Sequence, residues 1–478
     1  MAFSDRGSRC GGPRSAVVCS QFQINVDPVA LDTIAKWADG KLLRGDAARK
    51  VTNICTDSRK LQPSDLFLAL RGEKFDAHSF VVEAAKQGAA GAVVEEVTEN
   101  LPPDFAIIKV ADTLAALQQI AGNYRRSLPL KVVAITGSNG KTSTKDFTAA
   151  VLGERFRVVK THGNLNNHIG LPLTMLSANS NDKIGVFEIG MNHPGEIAPL
   201  AKLSQPDVGV ITNIGVAHIE FMGTRAAIAQ EKGMLAEAVG TGGHVVLTAD
   251  DDYSNSIAQR TKARVILAGI DSGEIRASEV RSGIDGSDFT LNANGKSAHA
   301  RLAVPGRHMI RNALLAVAVG TIFGLSLDEC AAGLAKVQLT KGRLEQKLIR
   351  GVRVIDDSYN ANPDSMIAAL RTLAEMPGRR IAVLGQMNEL GAESDRGHRE
   401  VGEAAACENI DCVLTVGEIA ARIADAASQH GVKQILKAAS TQEAAGQLRA
   451  IAREGDTILI KGSRSVRMET IIEEFARA

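Results

Sequence analysis

Val132-Val133-Ala134-Ile135-Thr136-Gly137-Ser138-Asn139-Gly140-Lys141-Thr142-Ser143 is the stretch that decides the fold. A β-branched apolar run ends in a glycine turn and hands over to helix-forming residues from Lys145 to Leu152. That is the local layout of a phosphate-binding loop. Glycines let the backbone curl so that its N–H groups point inward. The helix N-terminus adds partial positive charge, Lys141 supplies a full one, and the Thr142 hydroxyl can ligate Mg²⁺. This is chemistry for holding a nucleoside triphosphate. One departure stands out: only Ser138 and Asn139 separate Gly137 from Gly140, where the usual pattern has four residues.

Downstream of the loop, apolar strands are expected at 185–189, 208–212 and 245–248, with helices between them. The alternation predicts βαβ units and a parallel sheet. From Val265 to Val304 short alternating strands predict an antiparallel annex. The alternation resumes with strands at 352–356, 380–384, 412–416 and 456–460. In such sheets ligands lie at the carboxyl ends of the strands. Upstream, strands are expected at 52–56, 65–70 and 91–95, with helices from His78 to Gly88 and from Thr113 to Arg126. The Ser127-Leu128-Pro129 punctuation marks a boundary. The expected domains are therefore 26–129, 130–337 and 338–478, after a loose extension over 1–25 that begins to order near Phe22 to Val26.

A chain of 478 residues suggests about three domains. With 55 basic against 54 acidic residues and only 4% aromatics, it lacks the charge and stacking surface of a nucleic-acid binder. No apolar run reaches membrane-span length, and the polar first 25 residues lack the apolar core of a secretory signal. Six sparse cysteines with no CxxC pair fit a reducing cytoplasm. Cys407 and Cys412, in an alanine-rich helical stretch, are expected simply to pack in the core.

Several residues near the predicted strand ends carry chemistry. Glu188 closes an apolar strand next to the phosphate loop, where a carboxylate can hold Mg²⁺. A strand-end acid alone equally well faces solvent, and it is the neighbouring loop that favours the metal. His218 lies just beyond the strand at 208–212, on the ligand edge of the sheet. Lys232, in a helical stretch, reads by itself as an ordinary solvated lysine. Gly163 to Gly170 is dense in amides, of which turn and capping duty accounts for one or two. Asp356 to Pro363 offers carboxylates and amides suited to a ribose or a peptide end. Lys461 to Ser465 offers an anion seat, or merely solubilising charge.

Six segments together resemble the Mur ligase family: TGSNGKTSTK (136–145), THGNLNNHIGLP (161–172), FEIGMNHPGEI (187–197), DDSYNANPDSM (356–366), VLGQMNELG (383–391) and TDSRKLQPSDLFLALRGEKFDAHSF (56–80). The resemblance covers nearly everything after residue 25, and the shortened glycine spacing is a trait of the family. It implies an α/β, three-domain architecture. In this architecture 26–129 binds a UDP-sugar and 130–337 is a central P-loop, parallel-sheet ATPase domain. The third domain, 338–478, is Rossmann-like; it closes over ATP and binds the incoming dipeptide.

The implied activity is that of an ATP-dependent, ADP-forming amide ligase of cytoplasmic peptidoglycan precursor synthesis. It activates the carboxylate of UDP-N-acetylmuramoyl-tripeptide as an acyl phosphate, which D-alanyl-D-alanine then attacks, and it works as a monomer. By the same resemblance Gly137, Ser138, Asn139, Gly140, Lys141, Thr142 and Ser143 hold ATP. Asn312 lies near adenine, with Met309 replacing a customary asparagine, Arg343 reaches the phosphates and Asp357 the ribose. Two Mg²⁺ sites are implied, the first on Thr142 and Glu188, the second involving His218 and a carbamylated Lys232. Glu231 and Met234 depart from the residues that usually flank that lysine. Ser58, Arg59, Lys74, Asp76 and His78 are implied contacts of the UDP end, and Asn166 and Asn167 of the muramoyl-peptide.

Three other readings share parts of this pattern. A folylpolyglutamate synthetase would have the loop and the acyl-phosphate chemistry without the 56–80 segment. A P-loop NTPase switch or kinase fits the glycine spacing poorly, and no NKxD guanine-reading motif occurs. A silent binding protein on the same scaffold would have little use for Lys141, Thr142, Glu188, His218 and Lys232 together.

Overall fold

The computed structural model describes residues 24, 26–72 and 75–477. The expected ordering near Phe22 to Val26 falls almost wholly outside them, as do Cys10, Cys19 and Lys74. Among the described residues, three larger sheets follow one another along the chain. The first has five strands, in the order Lys41–Arg44, Ala106–Lys109, Gly91–Val94, Leu66–Leu68 and Ile54–Cys55. All of its pairs but the first are parallel.

The central sheet has nine strands, with Lys131–Thr136 between Ile184–Glu188 and Val208–Ile211. It is parallel out to Ile275–Gly283. Gly286–Ala293 and Lys296–Leu302 then add antiparallel strands. The expected annex is thus no separate layer. Arg264–Gly269 belongs to the parallel set, and the hairpin strands extend the same sheet edge.

The third sheet has six strands, five of them parallel, with Glu345–Ile349 as an antiparallel edge. Its strands are apolar on both faces, as a helix-covered parallel sheet requires. Val354, Ile381 and Ile458 pack on one side, while Ile355, Ala382 and Leu459 join the large core shared with the central domain.

Other local expectations shift for identifiable reasons. The helix expected from His78 to Gly88 is split into a tight turn, Ala77–Phe80, and the α-helix Val81–Lys86, because Asp76 caps the His78 N–H. Cys412 opens a buried strand, whereas Cys407 ends the helix Ser394–Cys407 in solvent, so only the first is a core residue. No helix among the described residues is long and apolar enough to cross a membrane.

Helix Thr113–Ser127 starts where the Asp112 carboxylate accepts from the Leu114 and Ala115 N–H groups. It carries Tyr124, whose buried hydroxyl accepts from Asp27 N at 2.7 Å and donates to Ala178 O at 2.8 Å. The bridge ties the first domain to the second. Tyr124→Phe leaves both backbone groups without that partner. A loss of about 1–3 kcal/mol is expected, seen as a lower denaturant midpoint at unchanged slope.

Candidate active site

The phosphate loop joins strand Lys131–Thr136 to helix Lys141–Leu152, so the helix opens at Lys141 itself. Its two glycines are dictated by packing. Gly137 has φ +148°, and a Cβ there would lie 1.8 Å from Thr212 Oγ1. Gly140 has φ +79°, and a Cβ would lie 2.4 Å from Asn312 Oδ1. The loop is therefore clamped between the strand-end Thr212 and helix Arg307–Ile322, which is why both positions are glycine. Asn213 completes the clamp, accepting from Ser138 N at 3.0 Å through its carbonyl and from Asn139 N at 2.8 Å through Oδ1. Gly137→Ala is expected to weaken ADP binding about 10- to 100-fold in a calorimetric titration, from backbone strain and displacement of the loop.

Lys141 Nζ curls over the loop, donating to Gly137 O at 2.8 Å and Ser138 O at 3.3 Å. Burial lowers its pKa, partly countered by the Glu188 charge. Glu188 is 2% exposed. Its Oε1 accepts from Asn166 Nδ2 at 2.8 Å, and its backbone N–H donates to Thr161 Oγ1 at 2.9 Å. Its Oε2 is buried without a hydrogen-bond partner. Orphaned buried carboxylate oxygens are uncommon, and one next to a phosphate loop suits a hard cation. Among the described residues no group of three His, Cys, Asp or Glu side chains is arranged to hold a metal by itself. Mg²⁺ does not need one, because phosphate and water oxygens fill most of its shell.

Lys232 lies within helix Arg225–Ala238 and is 1% exposed, so the solvated-lysine reading fails. Burial, reinforced by Lys141, pushes its ammonium well below the ordinary lysine range. Glu231 next to it accepts from Gly195 N at 2.9 Å and Ile197 N at 2.8 Å, holding the 192–197 loop onto this helix. His218, in left-handed backbone at φ +63°, presents Nδ1 to Glu389 Oε2 at 2.6 Å.

Glu389 belongs to the third domain, and further contacts bring that domain against the loop. Asn362 caps helix Pro363–Ala374, and its Nδ2 donates to Asn139 Oδ1 at 2.8 Å. Asp364 Oδ2 accepts from Val216 N at 3.1 Å. Arg343 Nη2 lies 3.4 Å from Thr142 Oγ1, with its guanidinium over the Tyr359 ring at 4.3 Å. Asp357 Oδ2 accepts from Lys461 Nζ at 2.6 Å and Oδ1 from Leu344 N at 3.3 Å. His308, beside Asp357 and Lys461, is pushed down to about 4 by burial and is neutral at neutral pH.

Most of these groups, though not Gly137, Glu231 or Lys232, line one cleft of about 1130 Å³ between the domains. It includes Ser138 to Ser143, Glu188, His218, Asn312, Arg343 and Asp357, together with Asn166 and Asn167. Asn167 has local work as well, its Oδ1 accepting from Gly170 N at 2.9 Å. Ser58, Arg59, Asp76 and His78 are not among the lining residues. Arg59 pairs with Asp57 at 2.8 Å. His78 has both ring nitrogens engaged, Nδ1 with Asp76 Oδ1 at 2.6 Å and Nε2 accepting from Glu95 N at 2.8 Å. Sequence reading took in Tyr359 and Asn362 only as part of the Asp356 to Pro363 stretch, and it assigned no role to Thr212, Asn213 or Glu389. Thr212-Asn213 carried a usable signal, polar residues right after an apolar strand.

Comparison with known proteins matches three stretches of the chain to Mur ligase descriptions. The Mur ligase family catalytic domain matches residues 50–125, the middle domain 135–320 and the glutamate ligase domain 342–464. The chain belongs to the Mur ligase family. Within it, the UDP-N-acetylmuramoyl-tripeptide–D-alanyl-D-alanine ligase of Escherichia coli is 39% identical over 448 residues, spanning 93% of this chain and 97% of that protein. The crystal structure of MurF from Acinetobacter baumannii superposes with a TM-score of 0.88 at 33% identity, over 95% of this chain and 100% of its own. MurF from Thermotoga maritima in complex with ADP gives 0.80 at 29%, over 89% and 97%. A Mycobacterium tuberculosis folylpolyglutamate synthase, at 21% identity and a TM-score of 0.60 over 76% of this chain and 95% of its own, shares the fold alone.

Proposed function

We propose that this chain is the ligase that joins D-alanyl-D-alanine to UDP-N-acetylmuramoyl-tripeptide, converting ATP to ADP and phosphate. The observation that carries the reading is the meeting, in one cleft, of a phosphate loop, a buried carboxylate with an unpaired oxygen and cationic and amide groups from a third domain. A switch NTPase needs no such third wall. A ligase does, because an acyl phosphate must be kept from water until the amine arrives.

In this reading the loop's N–H groups, Lys141 and Arg343 neutralise the triphosphate, and Asn312 and Asp357 hold the nucleoside. The tripeptide carboxylate attacks the γ-phosphorus and ADP leaves. The dipeptide amine then attacks the acyl carbon, loses its proton, and expels phosphate. Both anionic partners of the first step have to be brought together, so electrostatic stabilisation carries most of the barrier reduction. Thr142 and Glu188 would hold one Mg²⁺, and His218 with a carbamylated Lys232 a second. Mg²⁺ supplies charge neutralisation of the transferring phosphoryl group. Lys232 suits carbamylation, since a neutral amine is the form that adds CO₂. Asn166 orients Glu188, and with Asn167 it faces the muramoyl-peptide. Ser58, Arg59, Lys74, Asp76 and His78 serve the UDP end from the first domain.

The ATP and UDP-sugar requirement favours the cytoplasm. A coupled assay of ADP release tests the reading, run with the lysine- and the diaminopimelate-containing tripeptide nucleotides in parallel. ADP should appear only when one of these nucleotides and D-alanyl-D-alanine are both present. Equal release without the dipeptide would sink it.

A further inference from the structure

Asp146 is 2% exposed on the helix that follows the phosphate loop. A buried carboxylate is costly unless it is paired. Its Oδ1 accepts from Lys160 Nζ at 2.7 Å, with Lys145 Nζ at 3.5 Å. Its Oδ2 accepts twice from one residue of the segment joining the second and third domains, from Thr340 N at 2.9 Å and Thr340 Oγ1 at 2.8 Å. Burial alone would push this carboxyl up. The two lysines and the Thr340 hydroxyl more than offset that, and it lies below the usual carboxylate range.

The same segment makes a second contact with the same helix, where Arg343 Nη2 lies 3.4 Å from Thr142 Oγ1. Thr142 and Asp146 are four residues apart, hence on one helix face about 6 Å apart along the axis. Thr340 and Arg343 are three apart on the connecting segment, at most about 10 Å when extended, and the segment runs the opposite way, so the chain has length enough to reach both. Gly342 and Leu344, both at positive φ, turn the chain on either side of Arg343. Sliding the segment by one residue would carry Arg343 away from the loop.

We propose that Asp146 is a positioning residue: by gripping Thr340 it sets the register of the interdomain segment and delivers Arg343 to the phosphate end of the cleft. The inference rests on the reading of Arg343 as a phosphate contact. Lys160 ties the same grip to the metal side, because the next residue, Thr161, accepts from the Glu188 N–H.

The test is a double-mutant cycle on the full chain, measuring kcat and KM in ligation. Thr340→Val keeps the side-chain shape and removes the hydroxyl half of the grip. It is expected to lower kcat about tenfold with KM for the tripeptide nucleotide within about twofold. Thr340→Ser should restore the parental value. In an Arg343→Ala background Thr340→Val should cost nothing further, and Asp146→Asn should behave as Thr340→Val does. A Thr340→Val kcat within twofold of the parent, or a loss that multiplies with that of Arg343→Ala, would overturn the inference while leaving the Arg343 reading intact. An Arg343→Ala variant with parental kcat would remove that reading, and the inference with it.

Discussion

Lys141→Ala is expected to lower kcat for ligation by about 10³-fold or more while leaving the unfolding transition nearly unchanged. The lysine is the one full charge inside the loop, and its ammonium already lies over the Gly137 and Ser138 carbonyls where phosphate oxygens are to be met. What remains without it is the half charge of the helix N-terminus and the backbone N–H groups, too little to offset a triphosphate meeting a carboxylate. Arginine is no substitute, since its planar fork does not fit a seat built for a point charge. Steady-state ligation with saturating tripeptide nucleotide checks this. A variant that keeps a tenth of the parental kcat would refute the phosphate-loop assignment.

Lys232→Ala has the second-largest expected effect, a fall in kcat of about 10²-fold. The lysine is 1% exposed, so burial disfavours its ammonium, and Lys141 repels it further, with the Glu231 charge only partly offsetting them. The same neighbour that disfavours the cation favours an anionic carbamate. Carbamylation thus turns the position from one that repels Mg²⁺ into one that attracts it. The sign of the pH effect follows. Only the neutral amine adds CO₂, so lowering the pH through the depressed lysine pKa should remove the carbamate and the activity together. Depleting CO₂ should do the same, reversibly on adding bicarbonate. A small carboxylate such as formate should partly restore Lys232→Ala by filling the vacated anionic position. Parental activity in Lys232→Ala, or indifference of the parent to CO₂ removal, would rule the carbamate out.

The phosphate loop was legible because its signal is local: glycines, a lysine and a hydroxyl within eight residues, set between a strand and a helix. The placement of Glu188 and His218 in the cleft was legible because the ligand edge of a parallel sheet lies at its strand ends. The burial of Lys232 was not legible, since nothing in its helix distinguishes a buried lysine from a solvated one, and its proposed metal role rests on the family resemblance. The contacts that close the cleft were not legible at all. Asn362 with Asn139, Glu389 with His218 and Asp146 with Thr340 join residues far apart in sequence, and each depends on how whole domains pack. Asp76 and His78 carry local work that their types did not announce, a cap and a backbone bond, beside the role proposed for them at the UDP end. The two loop glycines, read first as backbone freedom for the turn, are also required by the close approach of Thr212 and Asn312.

In the proposed reaction ATP is spent on the peptide carboxylate. Tripeptide nucleotide labelled with ¹⁸O in its terminal carboxylate tests it in one turnover. Attack of that carboxylate on the γ-phosphorus, followed by expulsion of phosphate by the amine, must leave one labelled oxygen in the released phosphate. Label in the phosphate, in proportion to amide formed, is the predicted result. Phosphate free of label would mean that water, not the peptide, had taken the phosphoryl group, and would contradict the account.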